Sequence, residues 1–187
     1  MLVPVLAAAL LMSTFVAVLF RSGGEGGPGS FPAPTAVPEP VAVKPLAAPR
    51  GERALRIGGV TAGNVSATET AVDFATLDRA ASDEITILEP FVKRRMTFTV
   101  IPMRELLQRA GADPSARKLY LHALDDYHVD LPMAGVRNAG FLATRIDGKK
   151  IPIAKGGPFR LLFTGDGKLA RDTDNWIWSL DSARVER

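Results

Sequence analysis

No cysteine occurs among the 187 residues, and histidine occurs only twice, as His122 and His128. The first absence excludes disulfides, thiolate-held zinc or iron–sulfur clusters, a cysteine nucleophile and any cofactor bound through a cysteine sulfur. The second excludes a histidine-rich metal centre. A strong excess of one charge is also missing. There are 23 basic residues against 20 acidic ones, and no basic run exceeds Lys93-Arg94-Arg95. Such a balance leaves no electrostatic footprint for nucleic acid, and no nucleic-acid partner is expected.

Charge is distributed unevenly along the chain. Leu2 to Phe20 carries none at all, reading LVPVLAAALLMSTFVAVLF. As a helix this run would span about 28 Å, close to the hydrocarbon thickness of a bilayer. A cleaved signal peptide would need a shorter apolar region and small residues just before the cut. The run instead ends Val16-Ala17-Val18-Leu19-Phe20-Arg21. Residues 1–21 are therefore expected to be an uncleaved transmembrane anchor. The lone Arg21 after the span, with no Lys or Arg before it, is a weak vote on orientation and leans against export. The domain beyond is nevertheless expected on the periplasmic side of the inner membrane.

Residues 22–50 hold 7 of the 14 prolines and 5 glycines. Without a periodic apolar face they cannot repay the entropy of ordering, and they read as a tether, flexible at its Gly-rich start and semi-extended in its Pro-rich part. Residues 51–187 read as one α+β domain. Leu55–Ile57, Ile85–Leu88 and Met96–Val100 have strand character. Asp73 suits the N-cap of a short helix carrying Phe74, Leu77 and Ala81 on one face. Pro102 to Gly111 is the clearest helix, with Met103, Leu106, Leu107 and Ala110 on one stripe and Gly111 as its stop. Strand period then continues through Lys118–Leu124, His128–Leu131, Gly140–Ile146, Lys150–Ile153, Phe159–Phe163 and Asn175–Leu180, broken by Asp- and Gly-rich turns.

Five of these segments occur in a recognisable order. Phe98-Thr-Val-Ile-Pro-Met-Arg-Glu-Leu-Leu-Gln-Arg-Ala-Gly111, Leu119-Tyr-Leu-His-Ala-Leu-Asp-Asp-Tyr-His-Val-Asp-Leu-Pro132, Phe141-Leu-Ala-Thr-Arg-Ile-Asp-Gly148, Gly156-Gly-Pro-Phe-Arg-Leu-Leu162 and Asn175-Trp-Ile-Trp-Ser-Leu-Asp-Ser-Ala-Arg-Val-Glu186 resemble, in sequence and spacing, the motifs of the sulfite-oxidase-type molybdopterin-binding domain. The resemblance covers about residues 55–187. It implies an α+β fold of that type, mostly β-sheet with a few short helices. In that family a cysteine thiolate ligates molybdenum, and no residue here can inherit the role. Asp126 replaces the family's Gly in its Asp-Gly-Tyr turn, and Val100 or Ile101 replaces the Gly before the first helix. The resemblance therefore supports the fold and argues against the chemistry. No catalytic residue, metal ligand or cofactor is expected, and molybdopterin is not favoured.

Asp125, Asp126, Tyr127, Gly156, Gly157 and Arg160 match positions that line the family's cofactor cleft. They are the candidate remnant of it, expected to lie close together on one concave, partly polar surface. Each residue also has a plainer reading. Asp125-Asp126 would be an acid/base pair or cation site, or a tight turn in which adjacent side chains point apart. Read as a two-residue hairpin loop, it pairs Leu124 with Tyr127 and puts His122 and His128 on opposite faces, which disfavours a shared metal site. Arg160 would grip a phosphate or carboxylate, or pair with an acid. Gly156-Gly157 would admit a ligand closely, or form a turn. Trp176 and Trp178 share one strand face, either as core or as an interface patch. The expected protein is a non-catalytic, membrane-anchored accessory or binding module, partnered with the membrane through Leu2–Phe20 and with another membrane-associated complex. A molybdopterin-binding oxidoreductase and a small-anion sensor are the alternatives.

Overall fold

The computed structural model describes residues 44–59 and 69–187. Leu2–Phe20 and most of the expected tether lie outside the described residues. Among the described residues no helix is long and apolar enough to cross a membrane. The end of the expected tether is held on the domain, since the Leu46 amide donates to the Arg109 carbonyl at 3.2 Å and its side chain packs against the core.

The described residues form ten strands and four short helices: β1 Arg53–Gly59, β2 Thr70–Asp73, α1 Phe74–Ala80, β3 Asp83–Glu89, β4 Arg94–Pro102, α2 Met103–Arg109, β5 Lys118–Ala123, β6 His128–Pro132, α3 Met133–Ala139, β7 Gly140–Ile146, β8 Lys149–Lys150, β9 Arg160–Phe163, α4 Lys168–Arg171 and β10 Leu180–Glu186. Single 3-10 turns occupy Ile153–Lys155 and Thr173–Asn175. One sheet runs β2-β1-β10-β5-β6, and the other β3-β4-β7-β8 with β9 also on β7. All pairings are antiparallel except β1 with β10. The expected architecture, mostly sheet with a few short helices, is the one observed.

Strand period positions the core. In β4, Met96, Phe98 and Val100 alternate inward, and in β5 Leu119, Leu121 and Ala123 do so. Both sheets contribute to one continuous core, with Leu77 of α1, Met103, Leu106 and Leu107 of α2 and Val136 of α3 joining it. α2 ends as its sequence demands. Gly111 takes φ +76°, its amide bonds the Gln108 carbonyl, and the Ala112 amide bonds that of Leu107 at 2.9 Å, which closes a Schellman cap.

Three expected elements need correcting. Lys150–Ile153 is not a strand, because β8 ends at Lys150 and Ile153 opens a 3-10 turn after Pro152. Met133–Ala139 is a helix that the strand period after Gly111 does not suggest. Gly135 and Asn138 are weak helix formers, so packing against α2 and α4 holds it rather than intrinsic propensity. Asn175–Leu180 is not a strand. Residues Thr173–Asn175 coil into a 3-10 turn, Ile177 makes one isolated bridge to Leu161, and the closing strand begins at Leu180.

Asp73 caps α1 as expected. One carboxylate oxygen accepts the Thr76 amide at 2.7 Å, and the other accepts the amides of Arg50 and Gly51 at 2.7 and 3.1 Å. The bonds to Thr76 and then to the Arg50 amide hold this carboxyl well below the usual carboxylate range. A lowered folded pKa contributes stability that is present above the unfolded value, near pH 4, and lost as pH falls toward the folded one. Asp73→Ala should therefore destabilise the protein near neutral pH, and by less at about pH 3. Urea unfolding at the two pH values checks this, and an equal deficit at both would contradict it.

Candidate functional site

Four segments meet at one end of the domain, and Ser179 ties three of them. With φ +53°, its amide donates to the Gly156 carbonyl at 2.8 Å and its carbonyl accepts the Leu124 amide at 3.0 Å. The turns around Asp125–Tyr127 and Gly156–Arg160 are thereby drawn together. Tyr127 adds a further tie, its hydroxyl donating to the Asp174 carbonyl at 2.6 Å. Burial, and secondarily Asp174 and Asp172, push the Tyr127 phenol above its ordinary pKa.

Arg160 is almost fully buried at the start of β9 and pairs with an acid the sequence reading misses. Its Nη1 lies 3.6 Å from Oε1 of Glu89, a carboxylate with no solvent exposure. The other Glu89 oxygen accepts the amides of Phe91 and Val92 at 2.9 and 2.7 Å and so fixes the β3–β4 turn. Arg160 Nη2 donates to the Lys155 carbonyl. The Trp178 ring covers the guanidinium face at 3.8 Å, and Phe91 meets that indole edge-on with centroids 5.2 Å apart. Burial pulls the Arg160 pKa below the ordinary arginine value, while Glu89 pulls it back up. Glu89 Oε1 and Arg160 Nε and Nη1 have no hydrogen-bond partner. A signal for Glu89 exists in the sequence, because Ile85, Ile87 and Glu89 alternate on one face of β3. A buried acid there requires a cation.

The candidate side chains line two concavities rather than one. The larger, about 720 Å³, contains Arg160 and is rimmed by Arg94, Lys149, Lys150 and Lys155 over an apolar floor of Met96, Ile146 and Ile151. Asp147, its one carboxylate, is engaged by the Thr97 amide at 3.2 Å. The smaller, about 290 Å³, takes Asp125 and Tyr127 together with Phe91, Asp174, Trp176 and Trp178. Trp178 is the wall common to both. Asp126, Gly156 and Gly157 line neither, and the Asp126 side chain is 97% exposed.

The β5–β6 hairpin differs from expectation by one residue. His122 pairs with His128 and Leu121 with Val129, so both histidines share the outward face of the sheet. The cause is a longer loop. The Asp126 amide bonds the Ala123 carbonyl, the Ala123 amide bonds the Tyr127 carbonyl, and Asp126 absorbs the extra residue at φ +64°, a left-handed conformation that Asp tolerates. No group of three His, Cys, Asp or Glu side chains suited to a metal ion occurs among the described residues.

Residues 81–172 match the family model for the oxidoreductase molybdopterin binding domain. The matched stretch is 92 residues long, just under half of the chain. Among solved structures, the sulfane dehydrogenase SoxCD from Paracoccus pantotrophus is similar, with a TM-score of 0.52 and 19% identity over 71% of this chain. The chain spans 37% of that protein's chain, and at this identity the likeness is one of fold. No curated protein matches the sequence.

The residues present do not suit the family's cofactor. No thiolate is available anywhere in the chain to bind molybdenum. The glycines at the cleft face protein rather than open space: a Cβ on Gly156 would stand 2.7 Å from Trp178, and one on Gly157 would overlap the Ile151 carbonyl. Arg160, the residue matched to the family's cleft, is already paired with Glu89 and roofed by Trp178. A thiolate-held molybdenum centre therefore does not fit, and no chemical step is derived through one.

Proposed function

We propose that the protein is a binding member of the oxidoreductase molybdopterin-binding family, an accessory module that holds a small anionic ligand in its larger cleft and has no thiolate chemistry. One observation carries this reading: four cationic side chains rim an apolar floor in a cleft of about 720 Å³, with a single, engaged carboxylate among them. Such a cleft suits a flat, partly apolar molecule bearing an oxyanion. Lys150 is partly committed to the Phe74 ring, 4.2 Å from its Nζ, so Arg94, Lys149 and Lys155 are the free contacts. Tethered by Leu2–Phe20 on the outer side of the plasma membrane, the module would meet a membrane-associated complex at raised effective concentration.

The test uses the full chain in detergent with 6-carboxypterin as the probe. We expect saturable binding that weakens by about tenfold in the Lys149→Glu/Lys155→Glu variant, as loss of two cleft charges implies. Equal affinity in wild type and variant would contradict the reading. A second reading, a cofactor-loaded oxidoreductase, is favoured by the family match itself. Stoichiometric molybdenum in the purified chain, measured by elemental analysis, would establish that reading in place of the first.

A further inference from the structure

The smaller concavity is chemically unlike the larger. Four of the seven side chains that line it are aromatic (Phe91, Tyr127, Trp176 and Trp178), two are carboxylates (Asp125 and Asp174), and none is cationic. Both tryptophans of the chain and one of its two tyrosines converge there. Such convergence exceeds what the core needs, because Phe91 and Tyr127 remain 49% and 42% exposed.

The rings are held in place. Phe91 and Trp178 stand near perpendicular, at 75°. The Tyr127 hydroxyl is fixed on the Asp174 carbonyl and the Trp176 indole on the Ala170 carbonyl at 3.2 Å. Aromatic faces carry negative potential, and Asp125 and Asp174 reinforce it. Arg160, stacked on the Trp178 ring, is compensated by Glu89. Hard cations would require several oxygen ligands, whereas a box of rings with two peripheral carboxylates suits a soft, poorly hydrated cation.

We infer that this box is a binding site for a small solute bearing a methylated ammonium group. The inference goes beyond the anion site and stands independently of it. The probe is choline, titrated into the full chain in detergent and followed through its two tryptophan indole N–H signals in proton–nitrogen correlation spectra. Both indoles line the box, so both signals should shift and saturate. The neutral carbon isostere 3,3-dimethyl-1-butanol should bind roughly tenfold more weakly, as a desolvated cation–π contact implies. Phe91→Ala and Asp174→Asn should each weaken choline binding several-fold with unchanged far-UV circular dichroism. Equal affinity for the isostere, unaltered affinity in both variants, or no saturable shift would overturn the inference. Any of these results, with 6-carboxypterin still bound, would leave the anion site standing.

Discussion

Arg160→Met is expected to destabilise the protein by about 3–5 kcal/mol, the cost of stranding one partner of a buried ion pair. Glu89 has no solvent exposure, and no other cation lies within ion-pair distance of it among the described residues. Glu89→Ala should cost at least as much. It leaves Arg160 uncompensated and also removes the acceptor for the Phe91 and Val92 amides, which loosens the β3–β4 turn. Glu89→Gln/Arg160→Met should recover part of the loss, because neither charge then remains and the Gln oxygen still caps the two amides. Urea unfolding of Arg160→Met, Glu89→Gln and the double variant closes the cycle and gives the coupling energy, with Glu89→Ala read beside it. Single-variant losses of only ~1 kcal/mol, the scale of an exposed pair, would mean that water reaches the guanidinium and that the pair is not buried in solution.

This pair also marks where the sequence ceases to be legible. Arg160 stands out because it follows a Gly-Gly-Pro turn, and pairing with an acid is one of its two readings. Finding the acid requires carrying the alternation of Ile85 and Ile87 one step further, to Glu89. Pro90 reads as the end of the strand and masks the residue before it. The rim lysines are equally visible as letters. Only the fold brings Lys149 and Lys155 from one side of a loop toward Arg94 on β4, and no local pattern encodes that convergence.

Where local chemistry dominates, the sequence is legible. α2 is readable because stripe, proline start and glycine stop all agree. α3 is not, because seven residues containing Gly135 carry little helical signal without their neighbours. The β5–β6 register slips by one because a loop in which Asp126 adopts positive φ looks, as text, like the shorter Asp-Asp turn. A one-residue slip reverses every facing assignment, which is why the text places His122 and His128 on opposite faces and the fold does not. Trp176 and Trp178 read as neighbours on one strand face, but the 3-10 turn before them and the isolated Ile177 bridge let both rings reach the smaller concavity instead.

Gly157→Ala should destabilise the domain by about 3 kcal/mol, the upper end for overpacking. The added Cβ would overlap the Ile151 carbonyl oxygen and stand 2.9 Å from that of Pro152. Both obstacles are backbone, so no rotamer change relieves them. The Gly157 amide already donates to the Pro152 carbonyl at 2.9 Å, and the neighbouring Gly156 carbonyl accepts Ser179, so displacing the loop also strains the junction of the four segments. Gly167→Ala is the control. Its φ is −68° and nothing lies within 4 Å of the point its methyl would occupy, so an effect within about 0.5 kcal/mol is expected. Ile151 and Pro152 line the larger cleft, so a Gly157→Ala chain that still folds should also bind 6-carboxypterin more weakly, while Gly167→Ala should not. Thermal unfolding and the same titration read both effects. If Gly157→Ala were as silent as Gly167→Ala, the 151–157 loop would have to be free to move, and the wall it supplies to the anion site would not be preformed.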